Sequence, residues 1–128
     1  MLQLSIQHSD KVTTIWCKGR IVLGDHLDLL RVAALSQTAR EVMLDLSRVN
    51  LIDAAGLGTL VDLHERFQNS GREMELVDPL RFVYQVLRIT CLDTVFRIVC
   101  ARPIGMEARS ATGKWSKFIE LPNRQLFE

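Results

Sequence analysis

Apolar and polar residues alternate at the start of the chain, and this pattern predicts a β-hairpin. The alternation covers residues 2–6 and returns over residues 12–17, with a polar turn between them at residues 8–11. A period of two residues is typical of a strand that buries one face. We therefore expect two paired strands, the second ending at Gly19.

Three later segments carry apolar residues at helical spacing. The first follows Asp25, a predicted N-cap; the second closes at Gly71, a predicted C-cap; the third starts at Asp78-Pro79, with proline at the first helical position. The positions expected to face the core are Leu27, Leu30, Ala33 and Ala34 in the first helix, Leu57, Leu60, Val61 and Phe67 in the second, and Val83, Val86 and Leu87 in the third.

Short apolar segments between these helices predict further strands at Val42–Leu46, Glu73–Val77 and Val95–Cys100. Strands that alternate with helices favour parallel pairing with helices packed on the sheet. The expected fold class is therefore α/β: a mostly parallel central sheet, opened by an N-terminal hairpin and covered by helices.

The predicted domain covers residues 1–101 of the 128-residue chain, and Arg102-Pro103 marks its boundary. Residues 102–128 form a polar extension with Trp115, Phe118, Ile119 and Leu121 clustered inside it. Such a segment is either disordered, or a loose surface strap, or a docking segment for a partner or for the domain itself.

Composition excludes several classes of function. The net charge of +1 argues against nucleic acid as a main partner, because phosphate-backbone binding requires a clustered basic face. No apolar run approaches the ~20 residues of a membrane helix, and no signal peptide is visible. The three cysteines match no metal-binding spacing, so we expect reduced thiols and a cytoplasmic protein without a metal site.

The segment from Asp45 to Gly58 is the most informative part of the chain. It predicts a buried strand, a polar crossing, and a helix that opens on Asp53 with unpaired N–H groups and a partial positive charge. Neither residue after Asp53 has a hydroxyl group. No nucleophile–base pair accompanies it, the three histidines share no ligand spacing, and Gly56-Leu57-Gly58 lies too far from the strand for a dinucleotide motif. We expect neither enzymatic activity nor a cofactor.

Asp45 itself lies within an apolar strand and allows two interpretations. It is either a buried acid with a raised pKa or a carboxylate that caps nearby backbone groups.

Four blocks of sequence resemble the STAS domain, the module of bacterial anti-sigma factor antagonists. They are LDLSRVNLIDAAGLG at residues 44–58, WCKGRI at 16–21, LVDP at 76–79 and LRITCLDTVF at 87–96. They occur in family order and cover the whole predicted domain, whereas the extension lies outside the resemblance.

The resemblance implies a domain that regulates transcription by partner switching. Such a domain binds an anti-sigma factor, often a serine kinase, and the kinase in turn phosphorylates a serine at the start of the second helix. Ala55 occupies the position of that serine and Ala54 precedes it, so neither can be phosphorylated. Val22 stands where the family commonly has an aspartate. The residues expected to contact the partner are Val22, Leu23, Gly24, Asp25, Asp53, Ala54, Ala55, Gly56, Leu57 and Gly58.

Two functions are consistent with these departures from the family pattern. The protein is either an antagonist without control by phosphorylation or a scaffold or self-association module with no role in sigma-factor control. A homodimer is compatible with both. Thr59 and Ser47 are the hydroxyl-bearing residues that could act as relocated phosphorylation sites.

Overall fold

The computed structural model describes residues 1–9 and 11–100. Five strands and three helices follow the predicted order. Their bounds are β1 Gln3–Ser9, β2 Val12–Ile21, α1 Leu27–Leu35, β3 Glu41–Ile52, α2 Ala54–Asn69, β4 Glu73–Val77, α3 Arg81–Ile89 and β5 Arg97–Val99, with a single 3-10 turn at Leu92–Thr94 before β5.

The strands form one sheet in the order β1-β2-β3-β4-β5. β1 and β2 pair antiparallel as a hairpin, whereas β2–β3, β3–β4 and β4–β5 are parallel pairs. The predicted α/β class, with a mostly parallel sheet opened by a hairpin, is confirmed.

The helices pack on one face of this sheet. Each parallel crossover advances one strand in the same direction, and right-handed crossovers then place every connecting helix on the same side. Leu44 of β3 and Leu76 of β4 belong to one buried cluster with Leu30 of α1, Leu60 of α2 and Leu87 of α3. Burial of this apolar surface is the main stabilising contribution to the fold.

The sequence placed the ends of β2 and β3 too early. β2 continues beyond Cys17 to Ile21, and Gly19 lies within it at a shift of register instead of at its end. β3 includes the predicted polar crossing, because Arg48 and Ile52 still pair with Lys18 and Ile21 of β2. Pairing between long neighbouring strands therefore overrides the local polar composition.

Two predicted helix starts are wrong. Asp25 does not cap α1; the N-cap is His26, whose φ of 66° is left-handed and whose side chain makes no capping hydrogen bond. Pro79 is not in the first turn of α3, which begins at Arg81 after Leu80 as N-cap. The predicted closure of α2 by a glycine is present one residue later than a C-cap: Ser70 is the C-cap, and Gly71, with φ of 73°, follows it and, with Arg72, donates N–H groups to carbonyls of the last turn.

Some predictions fall outside the described residues, namely Asp10 in the hairpin turn and the extension at residues 102–128. Across residues 1–9 and 11–100, no helix combines the length and the apolar content needed to span a membrane. The three cysteines form no disulfide, and burial raises the pKa of the Cys17 thiol far above its ordinary value.

Candidate functional site

The predicted site lies at the edge of the sheet where β2 and β3 both end. These strands are parallel, so the loop that leaves β2 at Ile21 and the helix that follows β3 start side by side. Asp53 joins the two segments through both carboxylate oxygens. Oδ1 accepts a hydrogen bond from the Gly56 N–H at 2.8 Å, and Oδ2 accepts one from the Leu23 N–H at 3.1 Å. Asp53 therefore connects the loop after β2 directly to the start of α2.

These bonds also determine the charge of Asp53. The N–H groups of Gly56 first and then Leu23 hold the pKa of the Asp53 carboxyl below its ordinary value, because both stabilise the ionised form. The negative charge also lies at the positive end of the α2 dipole. Asp53 is therefore an ionised N-cap that fixes the loop at residues 22–25 against α2.

Asp53→Asn is expected to lower the melting temperature at pH 7, since an amide nitrogen cannot accept the second N–H bond. A lowered pKa in the folded state means that the carboxylate stabilises the fold above the unfolded pKa of 3.8, and that this stabilisation is lost as pH falls through the folded value. Thermal denaturation between pH 7 and pH 3 should therefore show the difference from the parent shrinking below about pH 4.

Glu65→Gln is the matched control, because Glu65 is exposed on the same helix. Its difference from the parent should not follow the same course. A constant penalty for Asp53→Asn down to pH 3 would mean that ionisation of Asp53 is not the source of its effect.

Gly56 allows α2 to approach the end of β2. A Cβ atom at this position would lie 1.9 Å from the carbonyl oxygen of Ile21 and 3.0 Å from its side chain. The same carbonyl accepts a hydrogen bond from the Asp53 N–H at 3.4 Å. Gly58, two residues further along α2, is exposed, and a Cβ atom added there would have no neighbour within 4 Å. The two glycines therefore have different roles.

The ten predicted contact residues divide by exposure. Leu23, Gly24, Ala54 and Gly58 are exposed, and Leu23 is 77% accessible although it is a large apolar side chain. Three others are half-buried at the rim, and three are buried beneath it. The half-buried residues are Val22, Asp53 and Ala55, and the buried ones are Asp25, Gly56 and Leu57. Only the first two groups can present side chains to a partner.

Asp25 holds the loop from inside. Its Oδ1 accepts a hydrogen bond from the Leu2 N–H at 3.3 Å, and its Oδ2 lies 3.5 Å from the Arg20 guanidinium. Its carboxylate is therefore directed toward β1 and β2 and away from the exposed rim.

Two hydroxyl groups were considered as relocated phosphorylation sites, and both donate hydrogen bonds within the fold. Thr59 is buried and its hydroxyl donates to the Ala55 carbonyl at 3.0 Å, within the helix. Ser47 is half-buried in β3, and its hydroxyl donates to Asp45 Oδ1 at 2.5 Å. Asp45 also accepts the Ser47 N–H, which supports its interpretation as a backbone-capping carboxylate.

One exposed apolar residue at this edge was not predicted from the sequence. Leu51, 38% accessible, lies two residues before Asp53 and pairs with Arg20 of β2. The predicted end of β3 at Leu46 left it out. Its exposure accompanies a register shift between Gly19 and Arg20 of β2, where the alternation of β3 is interrupted and Leu51 is exposed between buried Val49 and Ile52. Leu51 thus joins Leu23 and Ala54 as an exposed apolar residue at this edge. We call this surface, formed by Leu23, Leu51, Ala54, Ala55 and Gly58, the α2 rim.

Other titratable groups are engaged in structural contacts. The His64 ring packs edge-on against Phe96, with 5.4 Å between ring centroids. On the sheet, Glu41, Glu73 and Glu75 bring carboxylate oxygens within 4.8 Å of one another, and Glu75 is paired with Arg97 at 3.0 Å. Burial first, and then the neighbouring Glu41, raises the pKa of Glu75.

Comparison with known proteins identifies the same family and fold. The family model of the STAS domain matches residues 7–105. The protein TM1081 of Thermotoga maritima, a candidate anti-sigma factor antagonist, has a similar structure: TM-score 0.69, 23% identity, covering 87% of this chain and 95% of that one.

Two further solved structures share the fold at lower identity. The anti-sigma factor antagonist SpoIIAA of Bacillus, solved in unphosphorylated and phosphorylated forms, gives in the former a TM-score of 0.57 with 13% identity, covering 89% of this chain and 99% of that one. A sulfate transporter family protein of Wolinella succinogenes gives 0.65 with 18% identity, covering 89% and 92%.

Proposed function

Because the chain belongs to the STAS domain family, we propose that it is an anti-sigma factor antagonist that regulates transcription by binding an anti-sigma factor of the serine-kinase type. The observation that carries this proposal is the α2 rim. Its exposed residues are Leu23, Leu51, Ala54 and Gly58, with Ala55 half-buried, and the two hydrogen bonds of Asp53 join the β2–α1 loop, which carries Leu23, to the start of α2. Exposed apolar patches of this kind mark protein–protein contact surfaces.

The proposed antagonist is not controlled by phosphorylation. Ala55 replaces the acceptor serine of the family pattern, and the hydroxyls of Thr59 and Ser47 are occupied in hydrogen bonds inside the fold. A kinase partner would therefore find no accessible acceptor at the α2 rim. The domain stays competent to bind whatever the ATP supply, and acts in the cytoplasm as a binding module that needs neither cofactor nor metal.

A repurposed scaffold is the second candidate function. It is favoured by the fold's occurrence in a sulfate transporter family protein and by the apolar character of the α2 rim, which also suits self-association. In that case the rim would bind a second copy or an unrelated protein.

The test is titration calorimetry with a serine-kinase anti-sigma factor encoded in the same genome, in ADP and in ATP. The proposed function predicts saturable binding with the same Kd in both nucleotides, since no phosphate can be transferred to the α2 rim. Leu23→Asp should abolish binding, because it places a charge in the apolar rim, whereas Ile89→Asp, 81% accessible on α3, should not.

Two outcomes would contradict the proposal. Binding that ATP weakens, with phosphate mapped to Thr59 or Ser47, would show that control is retained at a relocated site. No binding to any anti-sigma factor, together with a dimer that Leu23→Asp dissociates in sedimentation, would favour the scaffold.

A further inference from the structure

The second face of the sheet lies opposite the helices, and the residues at its centre are buried although no described helix packs on them. Side chains alternate along a strand, so residues between those of the helix-side core point to this second face. Among them, Met43, Asp45, Glu75 and Val77 lie on the central strands β3 and β4. None of these four is more than 9% exposed, although the described helices pack on the other side. The centre of this face is therefore covered, whereas its margins, including Lys18 and Glu73, are exposed.

A groove extends across the same face toward the hairpin. It has a volume of about 550 Å³ and runs over β1, β2 and β3. Trp16 is half-buried in it. The side chains that line it on this face are Gln3, Ser5, Trp16, Lys18, Asp45 and Arg48.

The opposite side of this face is acidic. Glu41, Glu73 and Glu75 lie within 4.8 Å of one another, and Arg97 is the cation paired with Glu75. Glu75 is buried, Glu41 is half-buried and Glu73 is exposed, and burial of Glu75 beside two other carboxylates is unfavourable unless positive charge approaches them. The acidic side is therefore complementary to basic side chains, whereas the groove, which contains Lys18 and Arg48 beside Trp16, suits apolar ones.

We propose that residues 102–128 of the same chain lie across this second face of the sheet and cover it. They follow β5, the edge strand that borders the acidic side. Their basic residues outnumber their acidic ones by five to three. The basic residues are Arg102, Arg109, Lys114, Lys117 and Arg124, and the acidic ones are Glu107, Glu120 and Glu128.

The apolar residues of this segment suit the groove. Trp115, Phe118 and Ile119 are spaced i, i+3, i+4, which would align them on one face of a helical turn. Three strand spacings separate β5 from β2, about 14 Å. Residues 101–115 would span about 22 Å even if fully helical. Trp115 can therefore reach the groove beside Trp16 from the end of β5, without a second copy of the chain.

The test uses the full chain and the fluorescence of Trp16. Trp115→Phe leaves Trp16 as the sole tryptophan, and Phe118→Ser with Ile119→Ser is then added to it. We expect the double change to increase acrylamide quenching of Trp16, to shift the amide resonances of Thr14, Met43 and Val77, and to lower the melting temperature by roughly 5 °C or more. Ile89→Ser, on exposed α3, is the matched control and should change none of these.

Two results would overturn the proposal. The first is unchanged quenching and amide shifts in the double variant, with random-coil resonances for residues 102–128 in the parent. The second is that the parent protein sediments as a dimer and that dilution alone increases acrylamide quenching of Trp16. This result would mean that a second copy of the chain covers this face. Neither result bears on binding at the α2 rim, so the proposed function is tested separately.

Discussion

Gly56→Ala is expected to lower the melting temperature by at least ~10 °C, the largest effect of any single methyl group at the site. The added Cβ would lie 1.9 Å from the Ile21 carbonyl oxygen, a backbone atom that cannot rotate away. Relief requires α2 to move off the end of β2, with partial loss of packing worth about 3 kcal/mol. For a domain of about 100 residues, each kcal/mol corresponds to roughly 4–8 °C.

Gly58→Ala is the matched control, two residues along the same helix. Nothing lies within 4 Å of its Cβ position, and the residue is exposed. Alanine has the higher helix propensity by about 1 kcal/mol, so this variant should melt a few degrees above the parent. Differential scanning calorimetry of both variants measures the contrast. Similar melting temperatures for the two would mean that the close approach of Gly56 to Ile21 does not constrain the fold.

The different environments of Gly56 and Gly58 could not be predicted from the sequence. Both occupy Gly56-Leu57-Gly58 in an amphipathic helix, and local pattern treats them alike. Their difference arises from β2, which reaches Ile21 and not Gly19. That extension depends on parallel pairing with β3 over residues distant in sequence, which periodicity does not encode.

The fold class was accessible from the sequence because it rests on periodicity. The alternation of hairpin, strands and helices fixed the element order and most of the core, including Leu30, Leu60 and Leu87. The starts of the helices were harder to predict from the sequence. Asp25 has the chemistry of an N-cap, but its carboxylate is taken by the Leu2 N–H and Arg20, so tertiary contacts decided its role.

The candidate site was predictable in part for the same reasons. The second helix was expected to open on Asp53, and Asp53 is its N-cap, accepting a hydrogen bond from the Gly56 N–H. Its second bond, to the Leu23 N–H, could not be read from the sequence, because it joins residues thirty positions apart. Exposure was predictable only in part: Leu57 is buried, as its helical spacing predicted, whereas the burial of Asp25 and the exposure of Leu51 were not predicted.

If the protein binds the proposed anti-sigma kinase, Ala55→Ser is expected to convert it into a substrate of that kinase and to make binding sensitive to ATP. The family pattern places the acceptor at position 55, and this residue is half-buried at the α2 rim beside exposed Ala54. Phosphorylation adds about −1.5 to −2 charges. At the centre of an apolar contact, we expect the affinity to fall at least ~100-fold, about 2.7 kcal/mol. Mass spectrometry and titration calorimetry in ADP and ATP measure the two effects.

Ala55→Cys is the matched control, since it adds a side-chain atom of similar size but no hydroxyl group. It should bind the partner equally in ADP and ATP. If Ala55→Ser is not phosphorylated although it binds, the kinase contact has diverged and restoring the acceptor alone is insufficient. If it neither binds nor becomes phosphorylated while the parent also fails to bind, the scaffold function is favoured.

The phosphorylated variant also separates loss of binding from loss of folding. Position 55 is the second residue of α2, where the helix dipole and unpaired N–H groups favour negative charge. Asp53 opposes this in part, because its carboxylate is already ionised there. The melting temperature should therefore change little on phosphorylation while the affinity collapses. A parallel fall in melting temperature would instead indicate that the phosphate breaks the hydrogen bonds by which Asp53 joins α2 to the loop. The loss of affinity would then come from disruption of the α2 rim and not from the charge at position 55 itself.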